Sequence, residues 1–277
     1  MLQHIAPEII EQAENALERA EQRSGVIIRA LETAQESEVA REIFDQVWPP
    51  LGGGTQVPPN LLRAITHAGG YCSAAFLVEG GNEVPVAAAL GVLGVHQDSG
   101  APHMHIHSHM AGVVEEYRNR RIGTAIKMHQ RLWALRRGID TIVWTFDPLV
   151  SRNARLNLVN LGVTVRGYEV DFYGEMTDTI NAGDQSDRVF AWWELASERA
   201  IAAARGELSP INEIASNQIV VATPGDIVAL RVSDPERARE WRRQMRSDLM
   251  REFDSGLAII GVTNNGDYVL ERVSHVD

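Results

Sequence analysis

The most constraining stretch of the chain is Met110–Lys127. An apolar run ends near Val114, passes through a polar turn at Glu115–Arg121, and leads directly into a helical pattern that begins near Ile122. A strand feeding a helix through so short a turn aims the helix's first N–H groups, and the positive end of its dipole, at that turn. The result is an anion site. Gly123 lets the backbone approach a bulky anion closely. Arg118, Arg120 and Arg121 add guanidinium groups, which suit phosphate oxygens geometrically. Residue types alone fit two readings equally, a pyrophosphate cradle and a solvated basic helix start.

The surrounding pattern limits the folds that can present such a turn. Residues 7–23 predict an amphipathic helix opened by Pro7, with Ile9, Ile10, Ala13, Ala16, Leu17 and Ala20 at helical spacing. Val26–Leu31 predicts a strand, and Glu36–Trp48 a helix stopped by Pro49 and Pro50. Leu51–Pro59 is rich in Gly and Pro and predicts a loop, mobile or facing a substrate, followed by a short helix over Asn60–His67. Tyr71–Glu79, Val84–Val95 and His103–Val114 predict three strands in a meander, with turns at Gly80-Gly81-Asn82 and Asp98-Ser99-Gly100. Then come a helix over Ile122–Arg137 stopped by Gly138, a strand at Thr141–Phe146, a helix at Asn153–Leu161 and a strand at Val163–Tyr173. This β-β-β-α-β-α-β order predicts a mixed α/β sheet with helices on its faces. Residues 177–216 give no clear pattern. Beyond them Ile219–Ala222, a helix over Pro235–Phe253, and a hairpin of Ala258–Val262 with Tyr268–Arg272 predict a small α+β extension. The expected organisation is an N-terminal helix (1–25), a central domain (26–176) and a C-terminal extension (177–277) packed on it.

Composition narrows the function classes. Of 277 residues, 37 are Asp or Glu and 26 are Lys or Arg, a formal charge of −11. Nucleic acid and anionic membrane reward positive fields, so neither is an expected partner. The single cysteine, Cys72, excludes an internal disulfide and points to a reducing compartment. No segment reaches the ~18–20 apolar residues of a membrane span, and the acidic N-terminus does not read as a signal peptide. The expected location is cytoplasmic.

The element order and the turn resemble the GNAT superfamily of acyl-coenzyme A-dependent N-acyltransferases, from roughly Val26 to Tyr173. That family's signature is Arg/Gln-x-x-Gly-x-Gly/Ala after a Val-x-Pro-x-Tyr lead-in. Here Val113, Glu115 and Tyr117 occupy the lead-in, with glutamate in place of its proline. Arg118, Gly123 and Ala125 fit the signature, and Arg121 stands where its middle glycine is expected. A narrower resemblance, to a predicted GNAT group with a C-terminal extension, rests on several runs. These are His107-Ser108-His109-Met110, Trp144-Thr145-Phe146-Asp147-Pro148-Leu149, Ser151-Arg152-Asn153-Ala154, Tyr173-Gly174 and Ser186-Asp187-Arg188.

The resemblance implies a GNAT-like splayed sheet that takes acetyl-coenzyme A or another acyl-coenzyme A as co-substrate. Val113, Val114, Arg118, Asn119, Arg120, Arg121, Ile122, Gly123, Thr124 and Asn153 would hold it. The strand before the turn would offer an N–H to the thioester carbonyl. A small amine or amino acid would enter between His103–Val114 and Thr141–Phe146 and attack the thioester directly. His109 is the first candidate for the base, with Glu116 and Asp147 as alternatives. The tyrosine that many relatives use as acid falls at Leu158 here, which leaves water, Ser151 or Tyr173, or a thiolate that departs without help. A homodimer is expected by family analogy. The competing reading is a non-catalytic acyl-coenzyme A-binding or regulatory module.

Four features also have structural explanations. His103, His105, His107 and His109 alternate on one strand face. Same-face neighbours lie ~6.6–7 Å apart, so one straight strand cannot supply four ligands to an ion. No metal is expected, and a metal-dependent enzyme on this strand is the third reading. Cys72 reads as a packing thiol and Trp192-Trp193 as core. The arginines at 237, 239, 242, 243 and 246 alternate with Glu236, Glu240, Asp248 and Glu252, which predicts a salt-bridged solvent face.

Overall fold

A computed structural model describes residues 3–96, 102–174, 176 and 184–273. The predicted turn at Asp98-Ser99-Gly100 lies outside the described residues. The chain divides into two compact units, with the break inside one strand, between Val143 and Trp144. Among the described residues the first unit comprises 3–143 with 194–196, and the second 144–176, 184–193 and 197–273.

In the first unit, α1 (Pro7–Ser24), β1 (Val26–Ala30), α2 (Ala34–Val47) and α3 (Pro59–His67) precede a meander of β2 (Tyr71–Glu79), β3 (Asn82–His96) and β4 (His103–Val113). A 3₁₀ turn at Glu115–Tyr117 then leads to α4 (Ile122–Leu135), and β5 (Thr141–Phe146) begins. β1 to β4 pair antiparallel in chain order. β5 joins β4 in parallel, with Ile106 opposite Ile142 and His107 opposite Val143. The β2–β3 turn is Gly80-Gly81, with φ 58° and 85°, a backbone that glycine adopts without strain. Thr33 and Glu36 cap α2 reciprocally.

The sheet is buried on both faces, as its nearly unbroken apolar strands require. On one side Ile43, Phe44 and Leu62 of α2 and α3 pack with Phe76 and Leu90. On the other, Ile122 and Ile126 of α4 pack with Val26, Ile28, Tyr71 and Ala87. Cys72 is in the first of these cores, and burial pushes its thiol up to about 12. The 51–59 loop is anchored in its second half: Asp45 Oδ1 accepts from Gln56 N (2.7 Å) and Thr55 Oγ1 (3.0 Å), and Val57 is buried.

In the second unit, α5 (Ser151–Arg155) runs into a π-helical turn at Leu156–Leu161. β6 (Thr164–Glu169), β7 (Arg188–Glu194), α6 (Glu198–Arg205), β8 (Ile219–Val221), α7 (Ile227–Ser233), α8 (Pro235–Asp254), β9 (Leu257–Val262) and β10 (Tyr268–Arg272) follow. The strand order is β7-β6-β9-β10-β8. Trp193, Val165, Leu249, Ile259 and Tyr268 are fully buried.

The strand predicted over Val163–Tyr173 ends early, at Glu169. Asp171, at φ 51°, accepts on Oδ1 from Ser186 N (3.1 Å), and Asp187 Oδ1 accepts from Asp171 N (3.1 Å). These side-chain bonds replace the ladder with a turn. The predicted solvent face of α8 is also corrected in part. Arg237 and Arg239 pair with Glu240 and Glu236 at the surface, but Arg242 is 2 % exposed and turns inward to Asp147 and Asp184.

Candidate active site

The site candidates in the first unit lie along β4, the turn and α4. Opposite β3, Leu90 pairs with Met110 and Gly91 with Ser108, so His109 is the extra residue of a β-bulge. A Cβ on Gly91 would stand 2.7 Å from Ile106 Cγ2, so glycine there permits the close pairing beside the bulge. Within this unit β5 pairs with β4 at Ile106 and His107, and among the described residues the Met110–Val113 edge has no strand partner on that side. Val114 N donates to Val86 O at 2.9 Å. Alternation along the strand then turns the N–H of Val113 toward the unpaired edge. The N–H of Val114 is thereby committed to β3.

The turn that follows is built to leave N–H groups open. Asn119 (φ 65°) and Arg121 (φ 62°) are left-handed, a conformation uncommon outside glycine. Arg121 caps α4 with no side-chain bond. Among the described residues nothing accepts from the backbone N–H of Asn119, Arg120, Arg121, Ile122 or Gly123, while Thr124 N and Ala125 N return to Arg121 O at 3.1 Å. Arg118 reaches Glu115 at 3.3 Å, and Arg120 lies over the Tyr117 ring at 5.2 Å. Arg120 and Arg121 are exposed, so their charge is presented outward around the open donors.

His109 is exposed, and its desolvated surroundings lower its pKa from the ordinary histidine value. His107 lies 6.2 Å from it, ring to ring, and is lowered by burial, then by His109 and Lys127. Toward the start of β4, His103 Nε2 bonds Asp140 Oδ1 (2.9 Å), and His105 Nδ1 stands 3.1 Å from His96 Nδ1. The histidines therefore split into an inner cluster and a bulge pair. Among the described residues no group of three or more His, Cys, Asp or Glu is arranged to hold a metal.

Sequence reasoning missed Lys127. It is the only lysine, against 25 arginines, and that imbalance was the available signal. It is 5 % exposed and donates to Ser108 Oγ (2.8 Å) and Gln130 Oε1 (3.0 Å). Burial pulls its pKa down to about 7.

The remaining candidates lie in the second unit. Asp147 is 8 % exposed. Its Oδ1 accepts from Arg242 Nη1 (2.8 Å) and Leu149 N (3.0 Å), and its Oδ2 from Arg242 Nη2 (3.0 Å) and Arg231 Nη2 (2.6 Å). Burial alone would raise its pKa, but the two guanidinium groups outweigh it and hold the carboxyl well below the usual range. With its lone pairs taken, Asp147 is an anchor and not an available base. Ser151 opens the five-residue α5, and Asn153 N bonds Val150 O at 2.9 Å. Tyr173 is 38 % exposed, with its OH 3.1 Å from Thr145 Oγ1. Leu158 is 1 % exposed.

No family model and no curated protein matches the chain. Among solved structures, the chain is similar to NAA60 of Arabidopsis thaliana in complex with acetyl-CoA (14 % identity, 61 % of this chain, 97 % of that chain, TM-score 0.48). It is also similar to the ribosomal-protein-S18-alanine N-acetyltransferase of Escherichia coli (14 %, 62 %, 95 %, 0.45). A third is yncA, a putative acetyltransferase of Salmonella typhimurium with acetyl-CoA (16 %, 61 %, 94 %, 0.44).

Proposed function

We propose that the protein is an acyl-coenzyme A-dependent N-acyltransferase that passes an acetyl or other short acyl group directly to a small amine or amino acid. The observation that carries this reading is the β4–α4 junction. Among the described residues, the Met110–Val113 edge of β4 has no partner on the β5 side and runs into a turn with five consecutive N–H groups that nothing accepts from. Open donors at the start of a 14-residue helix, ringed by Arg118, Arg120 and Arg121, match a pyrophosphate. The β4 edge, with the N–H of Val113, matches the extended pantetheine and the oxygen of a thioester.

In this reading His109 takes the ammonium proton, and the free amine attacks the thioester carbon. The carbonyl oxygen gains charge beside the β4 N–H groups. The C–S bond then breaks as the nitrogen gives up its second proton, which passes through water to the departing thiolate. Cys72, buried and with a raised pKa, is unsuited to an acyl-enzyme intermediate.

The test is thiol release from acetyl-, propionyl- and succinyl-coenzyme A across amines, amino acids and peptides, alongside calorimetric binding of coenzyme A. Folded protein that binds no coenzyme A would sink the reading. The non-catalytic module is favoured by one observation, the buried aliphatic Leu158 at the tyrosine position. It predicts tight binding with no turnover on any acceptor.

A further inference from the structure

The helix that follows the turn carries the chain's one lysine, and that lysine grips the strand beside the bulge. Lys127 stands on the second turn of α4 and is 5 % exposed. Its Nζ donates to Ser108 Oγ at 2.8 Å. Ser108 is also buried and pairs with Gly91, and the next residue of β4 is His109, the extra residue of the bulge. A second bond, from Nζ to Gln130 Oε1 at 3.0 Å, fixes the amine from its own helix. Gln130 is fully buried, and a Cβ on Gly91 would stand 3.3 Å from its Nε2. The amide therefore lies over the glycine that faces Ser108, and α4, β3 and β4 interlock at the bulge.

As packing alone this arrangement is costly. A buried amine loses its hydration, and an apolar side chain of similar volume would fill the space without that loss. Gln130 Nε2 has no acceptor among the described residues, which adds to the cost. The use of lysine here, in a chain with 25 arginines, follows from the burial. Burial favours the neutral amine, which still donates, whereas a guanidinium cannot shed its proton. What the lysine adds is directional, a short bond that restrains the strand one residue before His109. A bulge depends on such restraint, because its extra residue is left out of the ladder.

We propose that Lys127, acting through Ser108, is a positioning residue that holds the β4 bulge against α4 and so sets where His109 stands relative to the N–H groups at the start of that helix. Its part in acyl transfer rests on the function proposed above; its hold on the bulge does not.

The test has two arms, both on the full chain. The first needs no acyl donor. The His109 imidazole is titrated by NMR, its signal assigned by its absence in His109→Ala. In Ser108→Ala the midpoint is expected to move up toward the ordinary histidine value, because a slackened bulge lets water reach the ring. The neighbouring titratable groups are His107 and Lys127, and this substitution alters neither. Lys127→Met should move the midpoint the same way, and Ser108→Thr, which keeps an oxygen acceptor, should leave it near wild type. The second arm measures initial rates with acetyl-coenzyme A and an acceptor that the wild type uses. Lys127→Met and Ser108→Ala should each lower kcat about tenfold, with the donor KM within about twofold of wild type. The double variant should be no slower than the slower single one, and Ser108→Thr should keep most of the rate. An unmoved His109 midpoint in folded Lys127→Met and Ser108→Ala, or losses that add in the double variant, overturns the proposal. A loss confined to KM overturns the role in transfer. If circular dichroism shows that Lys127→Met does not fold, Ser108→Ala and Ser108→Thr decide the matter. If the wild type acylates no acceptor while the first arm succeeds, the acyltransferase reading falls and the hold on the bulge stands.

Discussion

The β4–α4 junction and the Asp147 cluster treat polar groups in opposite ways. At the junction, nothing among the described residues accepts from the donors from Asn119 to Gly123, and two non-glycine residues hold left-handed conformations. In the cluster, both oxygens of Asp147 are bonded twice and Arg242 is almost fully buried against it. Groups that serve the fold are satisfied from within the chain, as burial demands. In the proposed reading the junction's donors stay unsatisfied because a ligand would take them.

The largest effect should come from breaking the closed side. Asp147→Ala leaves Arg242 buried without its main partner and should cost about 3–5 kcal/mol of unfolding free energy in urea titrations. A loss under about 1 kcal/mol would mean that the cluster contributes little to the fold. The sign with pH follows from the depressed carboxyl: its contribution is complete above the unfolded pKa near 3.9 and is lost as pH falls through the folded value. The open side should respond differently. His109→Ala should lower turnover about 10²-fold or more, with coenzyme A affinity and unfolding midpoint nearly unchanged. Because its pKa is lowered, the rising limb of kcat/KM should lie below pH 6.5. A limb near pH 8 would remove His109 from the role of base.

The sequence made the first region more legible than the second, for physical reasons. The strands from Tyr71 to Val113 and the helix from Ile122 carry local signals: long apolar runs, a Gly-Gly turn and helical spacing. The helix start after a short polar turn was readable from Glu115–Arg121 and the helical spacing that follows. The bulge at His109 was not readable, because it depends on which residue of β3 faces which residue of β4. Arg242 was misplaced because its spacing with acidic neighbours looks the same whether the arginine pairs along the helix or turns inward. The short strand β7 and helix α6 were missed, although Ser197 accepts from Ala200 N and Gly206 ends the helix left-handed, both visible as capping residues. The role of Asp147 changed because burial and two guanidinium partners arise only in three dimensions.

Lys127 offers a test between the extremes, since it is buried like Asp147 yet adjoins the bulge. Its folded pKa, about 7, lies below the ~10.4 of an unfolded lysine. The unfolded state binds more protons between those values, so stability should rise with pH across that window. Lys127→Met should therefore stabilise the protein more at pH 6 than at pH 10, by roughly 2–4 kcal/mol in the difference. Equal effects at both pH values would show that the ammonium is well solvated in the native state.

The smallest expected effect bears most directly on the comparison. Arg121 is exposed and left-handed at φ 62°, so Arg121→Gly relieves a conformation that costs an L-residue about 1–2 kcal/mol. Glycine's greater freedom in the unfolded chain offsets part of that gain. The net expectation is a stabilisation of about 0.5–1 kcal/mol. The same change removes one guanidinium from the turn, and coenzyme A affinity should fall roughly two- to fivefold, more at low salt than at high. Stability and affinity moving in opposite directions is what a strained, ligand-facing turn predicts. A variant that loses both would place Arg121 among the satisfied groups of the fold, and one that gains stability with affinity untouched would take its side chain out of the cradle.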